Sequence, residues 1–264
     1  MSRAASKPPG INNIKEDGMK DSLFTVRSNR EIAYLMYEMR LSGPAADCMR
    51  PGTFVNLKIE GNYLRRPISV CDASENELVL LYKVVGEGTK KMAEMTEGDT
   101  IMILTGLGNG YDTSKSGDKP LLLGGGSGVA PLYQLAKRLL AEGKHPVAAL
   151  GFASRRDIYY ADELRALGVP VSVATVDGTE GVKGFVTDAM PADYTYTYSC
   201  GPEPMLKAIH LKSETSGQYS FEERMGCGFG ACMGCSCKTV TGYKRICRDG
   251  PVLEKEEILW PTHA

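Results

Sequence analysis

Residues 121–131 read LLLGGGSGVAP: a short apolar run from Leu121 to Leu123, then Gly124, Gly125, Gly126 and Gly128, then Pro131 at the head of a helical pattern reaching Ala141. A buried strand that ends in a glycine loop and passes into a helix is how a doubly wound sheet brings bare amides to a pyrophosphate. The pattern is not G-x-G-x-x-G, and taken alone the loop also fits a tight structural turn. Downstream, Val147–Phe152 is strand-like, Tyr160–Leu167 helical and Val169–Val176 strand-like, and Gly184–Met190 reads as a short helix. Tyr194–Cys200 then reads as a strand and Pro202–Lys212 as a helix. Strands alternating with helices of these lengths predict a parallel α/β domain of the nucleotide-binding type. Its second loop, Ser199-Cys200-Gly201-Pro202, ends one strand and opens the next helix. Cys200, Gly201 and Pro202 are therefore expected beside Gly125, Gly126 and Gly128 at the C-terminal edge of one sheet. By itself Cys200 reads as a small buried residue. Arg155 and Arg156 follow the strand Val147–Phe152, a place where two arginines could meet a 2′-phosphate, although solvated arginines are the commoner case.

Upstream of this domain the rhythm is different. Thr53–Ile59 (TFVNLKI) alternates, with Val55, Leu57 and Ile59 on one face, and Glu77–Val85 and Thr100–Leu104 are β-rich runs bounded by Gly, Asn or Asp. Several such strands in succession predict a small antiparallel barrel or sandwich. Tyr111–Pro120 (YDTSKSGDKP) reads as a linker, and Lys212–Gln218 (KSETSGQ) is a second polar stretch. The expected organisation is a polar tail at 1–20, a β-barrel at 21–114, an α/β domain at 115–216 and a cysteine-rich C-terminal domain at 217–264.

Five of the chain's eight cysteines fall between positions 227 and 247, as Cys227-x4-Cys232-x2-Cys235 and, after 11 further residues, Cys247, with Cys237 beside them. This is plant-type spacing for a [2Fe–2S] cluster. Four thiolates converge from a tight loop, and Gly226, Gly228, Gly230 and Gly234 supply freedom where side chains would crowd the metal. Cys237 reads as non-ligating, because Cys235 keeps the x2 interval. A structural zinc site or a set of packed thiols are the other readings; zinc favours two paired half-sites, and only one C-x-x-C pair occurs here. The 31 basic and 32 acidic residues nearly balance, which excludes a general nucleic-acid binder. The first twenty residues, MSRAASKPPGINNIKEDGMK, lack an apolar run, and the longest uncharged stretch, from Leu121 to Ala136, is glycine-rich and short of a membrane span. A reducing cytoplasm and no membrane are the expectation.

Between the first two strand-like runs lies Arg65-Arg66-Pro67-Ile68-Ser69-Val70; the second run contains Leu81-Tyr82-Lys83 and is followed by Gly86-Glu87-Gly88-Thr89. An arginine and a hydroxyl in an extended segment can hold a phosphate and orient a flat ring, and amides at a helix start can meet a second anion. RPIS in a barrel, GGGSGVAP with CGP in an α/β domain and a terminal glycine-rich cysteine loop, in this order, resemble the ferredoxin reductase-like flavoproteins. Within them the chain is similar to the electron transfer subunits of type B dihydroorotate dehydrogenases. The resemblance covers nearly everything from residue 21 onward and is most specific in RRPISV, YKVVGEGT, LGNGYD, DGTEGVKGFVTD and MGCGFGACMGCSCKT…RICRDGPVL.

This resemblance implies FAD along Arg66, Pro67, Ile68 and Ser69, completed by Leu81, Tyr82, Lys83, Gly88 and Thr89. It implies a [2Fe–2S] cluster on Cys227, Cys232, Cys235 and Cys247, and NAD as electron acceptor at the glycine loops. Where the broader superfamily has an aromatic residue in R-x-Y-S, this chain has Ile68, which fits the orotate branch. The implied partner is an FMN-containing catalytic subunit that oxidises dihydroorotate in pyrimidine (UMP) biosynthesis, two copies of each subunit forming a heterotetramer. No residue is singled out as catalytic; Cys200 is only a candidate neighbour of the nicotinamide. A similar layout occurs in the small flavin subunit of NADH-dependent ferredoxin:NADP oxidoreductases, where the first cluster ligand is typically aspartate rather than a cysteine such as Cys227. A self-contained oxygenase reductase would need a larger last domain. A non-enzymatic zinc or thiol redox-sensing module is the alternative of another class.

Overall fold

The computed structural model describes residues 18–260; most of the expected tail at 1–20 therefore lies outside the described residues, while Lys20 already pairs with Thr105 in the first strand. Six strands close an antiparallel barrel: β1 (Lys20–Ala33), β2 (Met36–Ser42), β3 (Phe54–Lys58), β4 (Arg66–Ala73), β5 (Glu77–Lys83) and β6 (Thr100–Leu107). Their order around the wall is β1-β2-β5-β4-β3-β6. Alternation fills the interior with Val55 and Leu57 of β3, Leu78 and Leu80 of β5, and Ile101 and Ile103 of β6. Helix α1 (Glu87–Ala93) links β5 to β6 and adds Met92 to this core.

The second unit is a seven-stranded sheet with β7 (Pro120–Gly125) at its centre. From β7 the chain runs outward through α2 (Ala130–Ala141), β8 (Val147–Phe152), α3 (Ala161–Ala166), β9 (Val171–Thr175) and the short β10 (Val182–Lys183). It then returns to the other side of β7 with β11 (Tyr196–Cys200), α4 (Glu203–Lys212) and β12 (Gly217–Ser220). All these strands are parallel, and the reversal of order beside β7 creates the switch-point crevice at their C-terminal ends. Gly184–Met190, expected as a short helix, is instead a single 3-10 turn, Val186–Ala189, anchored by Asp188 Oδ2 accepting from Phe185 N at 2.8 Å.

After β12 come the hairpin β13 (Ser236–Thr239) and β14 (Gly242–Arg245), the one-turn helix α5 (Ile246–Asp249) and β15 (Val252–Glu254). Strand β15 rejoins the large sheet antiparallel to β12. The cysteine segment is thus an insertion between two strands of that sheet, and the boundary expected at 217 falls on one of them. Tyr111 of the expected linker is buried, and its hydroxyl donates to Ser199 O at 3.0 Å. It seals the seam between barrel and sheet.

One charged side chain spans that seam. Glu38, 2% exposed, accepts from Arg30, from Arg40 and, across the seam, from the Tyr160 hydroxyl at 2.8 Å. Burial pushes its carboxyl up, but the bonds from Arg40, Tyr160 and Arg30 outweigh that and hold it below its ordinary value of 4.5. The lowered value means these ties are complete above that pH and are lost as pH falls through the folded-state value. Glu38→Gln is therefore expected to destabilise the protein by about 2 kcal/mol at neutral pH. Urea unfolding at pH 7 should show a lower midpoint, with the gap to wild type narrowing as pH drops below the carboxylate range; equal midpoints at pH 7 refute the assignment.

Candidate functional site

Along Arg66–Ser69, strand β4 is paired with β3. Its pairing with β5 begins only at Val70, opposite Leu80. On the facing side, Leu81, Tyr82 and Lys83 are paired outward with β2. The barrel wall is therefore split between Arg66–Ser69 and Leu81–Lys83, the two segments singled out for a flavin. Backbone groups along such edges need partners, and a flat ring with donors and acceptors on its rim can supply them. At one end of the split the Arg66 side chain covers Gly88, where a Cβ would lie 2.4 Å from Arg66 Nε. The first helical bond of α1 is Lys90 N to Gly86 O, so the amides of Glu87, Gly88 and Thr89 precede it. Guanidinium and free amides together suit a diphosphate.

The two neighbouring arginines separate here. Arg65 is committed to Asp21 through two bonds, at 2.9 and 2.7 Å, which leaves Arg66 for an anion. Two other expected residues contribute less side chain than their place in the motif suggests. The Tyr82 ring points into the barrel, stacks on Tyr37 and donates to Asn29 Oδ1 at 2.8 Å, so only its backbone faces the split. The Thr89 hydroxyl shapes its own turn, accepting from Val85 N and Gly86 N and donating to Gly86 O.

Beside the split, at the switch point, lies a cleft of about 460 Å³. Gly125, Gly126 and Pro202 line it, together with Tyr34, Met36 and Lys83 of the barrel. Phe152, Phe185 and Met205 are further lining residues from the sheet unit. Gly128, Cys200 and Gly201 sit behind this wall: a Cβ on Gly128 would stand 2.1 Å from Cys200 O. The Cys200 thiol is buried, and burial together with the charge of Glu222 pushes its ionisation well up. Cys200 is thus buried beside the cleft and is not among the residues that line it. The cleft's barrel-side residues escaped the sequence reading, since Tyr34 and Met36 belong to a hairpin with no motif of its own. Of the two candidate phosphate arginines, Arg156 lies 4.0 Å over the ring of the cleft-lining Tyr34, and Arg155 is 3.7 Å from Glu180.

The four expected ligand cysteines form two pairs, Cys227 with Cys232 and Cys235 with Cys247. Among the described residues no three His, Cys, Asp or Glu side chains gather around a single ion position; two pairs suit two irons. The loop points amides at sulfur. Cys227 Sγ accepts from Ala231 N at 3.2 Å and Cys232 N at 3.4 Å, and Cys235 Sγ accepts from Cys247 N at 3.4 Å. Burial raises the Cys227 thiol, but the amides of Cys232, Phe229 and Ala231 and the Cys232 side chain bring it down to about 6. These amides suit a thiolate at Cys227, whereas burial and the neighbouring Cys235 push the Cys247 thiol up to about 12. Cys237 lies half-buried on β13, paired in register with Lys244. The segment has little core of its own and packs Ile246, Cys235 and Cys247 on Phe54 and Leu107 of the barrel. Asn109, inside LGNGYD, fastens it by bonds to Asp249 O and Val252 O; nothing in the local sequence gave that role away.

Around the barrel wall the three sites follow one order. The cleft touches β2 and β5, the split lies between β5 and β4, and the cysteine segment rests on β3 and β6.

Known proteins share these domains. The iron-sulfur cluster binding domain of dihydroorotate dehydrogenase B matches residues 222–259, and an oxidoreductase NAD-binding domain matches residues 122–211. The dihydroorotate dehydrogenase B (NAD+) electron transfer subunit of Bacillus pumilus (strain SAFR-032) is 44% identical over 255 residues, covering 91% of this chain and 98% of its own. Its counterpart in Geobacillus sp. (strain WCH70) is 41% identical over 256 residues, covering 91% and 99%. Among solved structures, an NADH-dependent reduced ferredoxin-NADP oxidoreductase described for flavin-based electron bifurcation superposes with a TM-score of 0.82 at 29% identity, over 90% of each chain. A cytochrome P450 reductase of Amycolatopsis shares the fold, with a TM-score of 0.63 at 24% identity, over 72% of this chain and 64% of its own.

The contact of Gly128 with the Cys200 carbonyl supplies a test. Gly128→Ala places a methyl against backbone that cannot swing aside, so the two loops must part, at about 1–3 kcal/mol. A lower thermal midpoint and weaker binding of a nicotinamide dinucleotide in titration calorimetry are expected; unchanged values for both would show that the loops are not in contact.

Proposed function

The chain belongs to the family of dihydroorotate dehydrogenase B electron transfer subunits, and we propose that its three sites act in the order in which they lie around the barrel. It is an NAD-linked oxidoreductase subunit with FAD, a [2Fe–2S] cluster and NAD, serving dihydroorotate oxidation in pyrimidine biosynthesis together with a catalytic partner subunit. When bound, the cluster supplies one-electron exchange and the flavin the change from single electrons to a hydride. The flavin site must therefore stand between the other two. The observation that carries the proposal is that the barrel split lies between the cysteine segment and the cleft.

The residues divide the work. Cys227, Cys232, Cys235 and Cys247 hold the cluster, and backbone amides directed at their sulfurs favour its more negative state. Arg66 and the amides of Gly88 and Thr89 hold the FAD diphosphate, and the edges of Pro67–Ser69 and Leu81–Lys83 hold the ring. Gly125, Gly126 and Pro202 receive NAD on the open side of the cleft, with Gly128, Cys200 and Gly201 fixing the loops behind. No side chain is assigned acid–base work; the protein's part is to position groups and exclude water. The partner, an FMN-containing subunit, docks over Cys232, the exposed cysteine of the loop, where Phe229 and Met233 are 42% and 54% exposed. Two copies of each subunit and a cytoplasmic location complete the proposal. Among the described residues no helix is long and apolar enough to cross a membrane.

Anaerobic co-expression with the neighbouring reading frames tests it. Flavin bands, about two irons per chain and dihydroorotate-dependent reduction of NAD are expected in the purified complex. Serine at Cys227, Cys232, Cys235 or Cys247 should each remove most of the iron, whereas Cys237→Ser should keep it. Retention of full iron by two or more of the four variants would overturn the ligand set, and a complex without dihydroorotate-dependent activity would overturn the order of transfer.

A further inference from the structure

Two asparagines of the barrel region hold the cysteine segment, and they hold it differently. Asn109 is fully engaged: Nδ2 donates to Asp249 O at 3.1 Å and Val252 O at 2.9 Å, Oδ1 accepts from Val252 N at 3.2 Å, and its amide donates to Gly250 O at 2.7 Å. This is a clamp at the Cys247 end of the segment. Asn56 stands at the Cys227 end and is 1% exposed. Its Nδ2 donates to the Cys227 carbonyl at 3.2 Å, while its buried Oδ1 meets no donor in the chain. Gly228, at φ +81°, presses on the same amide, and a Cβ there would lie 2.0 Å from Nδ2.

Strand alternation explains why this side chain faces outward. Its neighbours Val55 and Leu57 fill the barrel, so Asn56 projects from the opposite face. Directly across β3–β4 is Pro67, within the flavin segment, and across β3–β6 is Leu104. Opposed residues of an antiparallel pair share a face, so Asn56 stands beside the strand that walls the split while holding the loop that carries Cys227. Packing alone does not require an amide here. Leucine would fill the same space between Pro67 and Leu104 without burying an unmet acceptor.

We propose that Asn56 is a positioning residue for electron exchange, fixing the Cys227 loop against β4 and so setting the spacing between cluster and flavin. This rests on the site assignment above. The test uses the complex with its catalytic partner, purified anaerobically, as wild type and as Asn56→Leu, which keeps the volume and removes the bond. Flavin and cluster absorbance are followed separately in stopped flow after mixing with NADH, and amide hydrogen exchange is followed over residues 226–234. Flavin reduction should stay within about twofold of wild type, while cluster reduction slows about tenfold, because small misplacements of exchanging groups already slow their reaction. Exchange over the loop should quicken. If Asn56→Leu loses iron, Asn56→Ala, which also removes the bond but adds no bulk beside Gly228, is read in the same way. Unchanged cluster reduction at full iron content overturns the proposal, and so does equal slowing of both phases, which marks a general loss of structure. Wild-type complex lacking flavin or iron would instead overturn the site assignment on which the inference stands.

Discussion

A β-barrel pays its largest backbone debt by closing its wall, and this wall is left open where β4 and β5 separate before Val70 and after Leu80. Strand edges that do not pair with each other need other partners, solvent or a bound group, so the opening constrains everything around it. The edges Arg66–Ser69 and Leu81–Lys83 stay apart only if something other than each other satisfies them. Both neighbouring sites are placed to reach that opening. The cleft draws Met36 and Lys83 from one flank, and the cysteine segment rests on Phe54 and Leu107 from the other.

The cysteine segment follows from the same geometry. Roughly thirty residues between β12 and β15 are too few to build a core of their own. They borrow apolar surface from β3 and β6, and metal ligation can add the stability that a small domain lacks. Because both ends are strands of the large sheet, the segment cannot drift as a tail would. Asn109 and Asn56 then hold its two ends to the barrel. Sheet, barrel and cysteine loop are thus tied in a closed circuit of contacts.

What could be read in the sequence was whatever chemistry forces into a short stretch. The glycine loop at 124–128 and the spacing of Cys227, Cys232, Cys235 and Cys247 are local requirements, and they appear as local patterns. The roles of Asn56 and Asn109 depend on partners 171 and 143 positions away, and no window of the chain contains both halves of either contact. The same holds for the arginine pair: Arg65 and Arg66 are equivalent in sequence, and only Asp21, brought alongside on β1, separates them. For Cys200 the motif marks the turn, while the burial of the thiol depends on strands distant in sequence. The boundary expected at 217 falls on a strand of the sheet, because Gly217–Ser220 is too short and polar to read as a strand before its partners on both sides are known.

A relay of fixed sites needs a seam that does not hinge, and the source of that rigidity can be ranked by magnitude. The charged ties across it, Lys137 to Asp72 and Lys83 to Asp157, have lysines nearly half exposed. Such pairs contribute from nothing to about 1 kcal/mol each. The apolar contact is larger. Met36, Cys71, Val79 and Leu81 of the barrel share one buried cluster with Leu132 and Leu135 of α2 and with Tyr159 and Tyr160. Burial of each large side chain there stabilises by about 1.5–3 kcal/mol, so the seam is held mainly as a core is held. Glu38 and Tyr160 add direction to that adhesion, because a buried carboxylate with three partners tolerates one register of the two units and penalises the others. Apolar burial keeps the units together, and the polar tie fixes how they meet. The split, the cleft and the cysteine loop then keep their order around the wall.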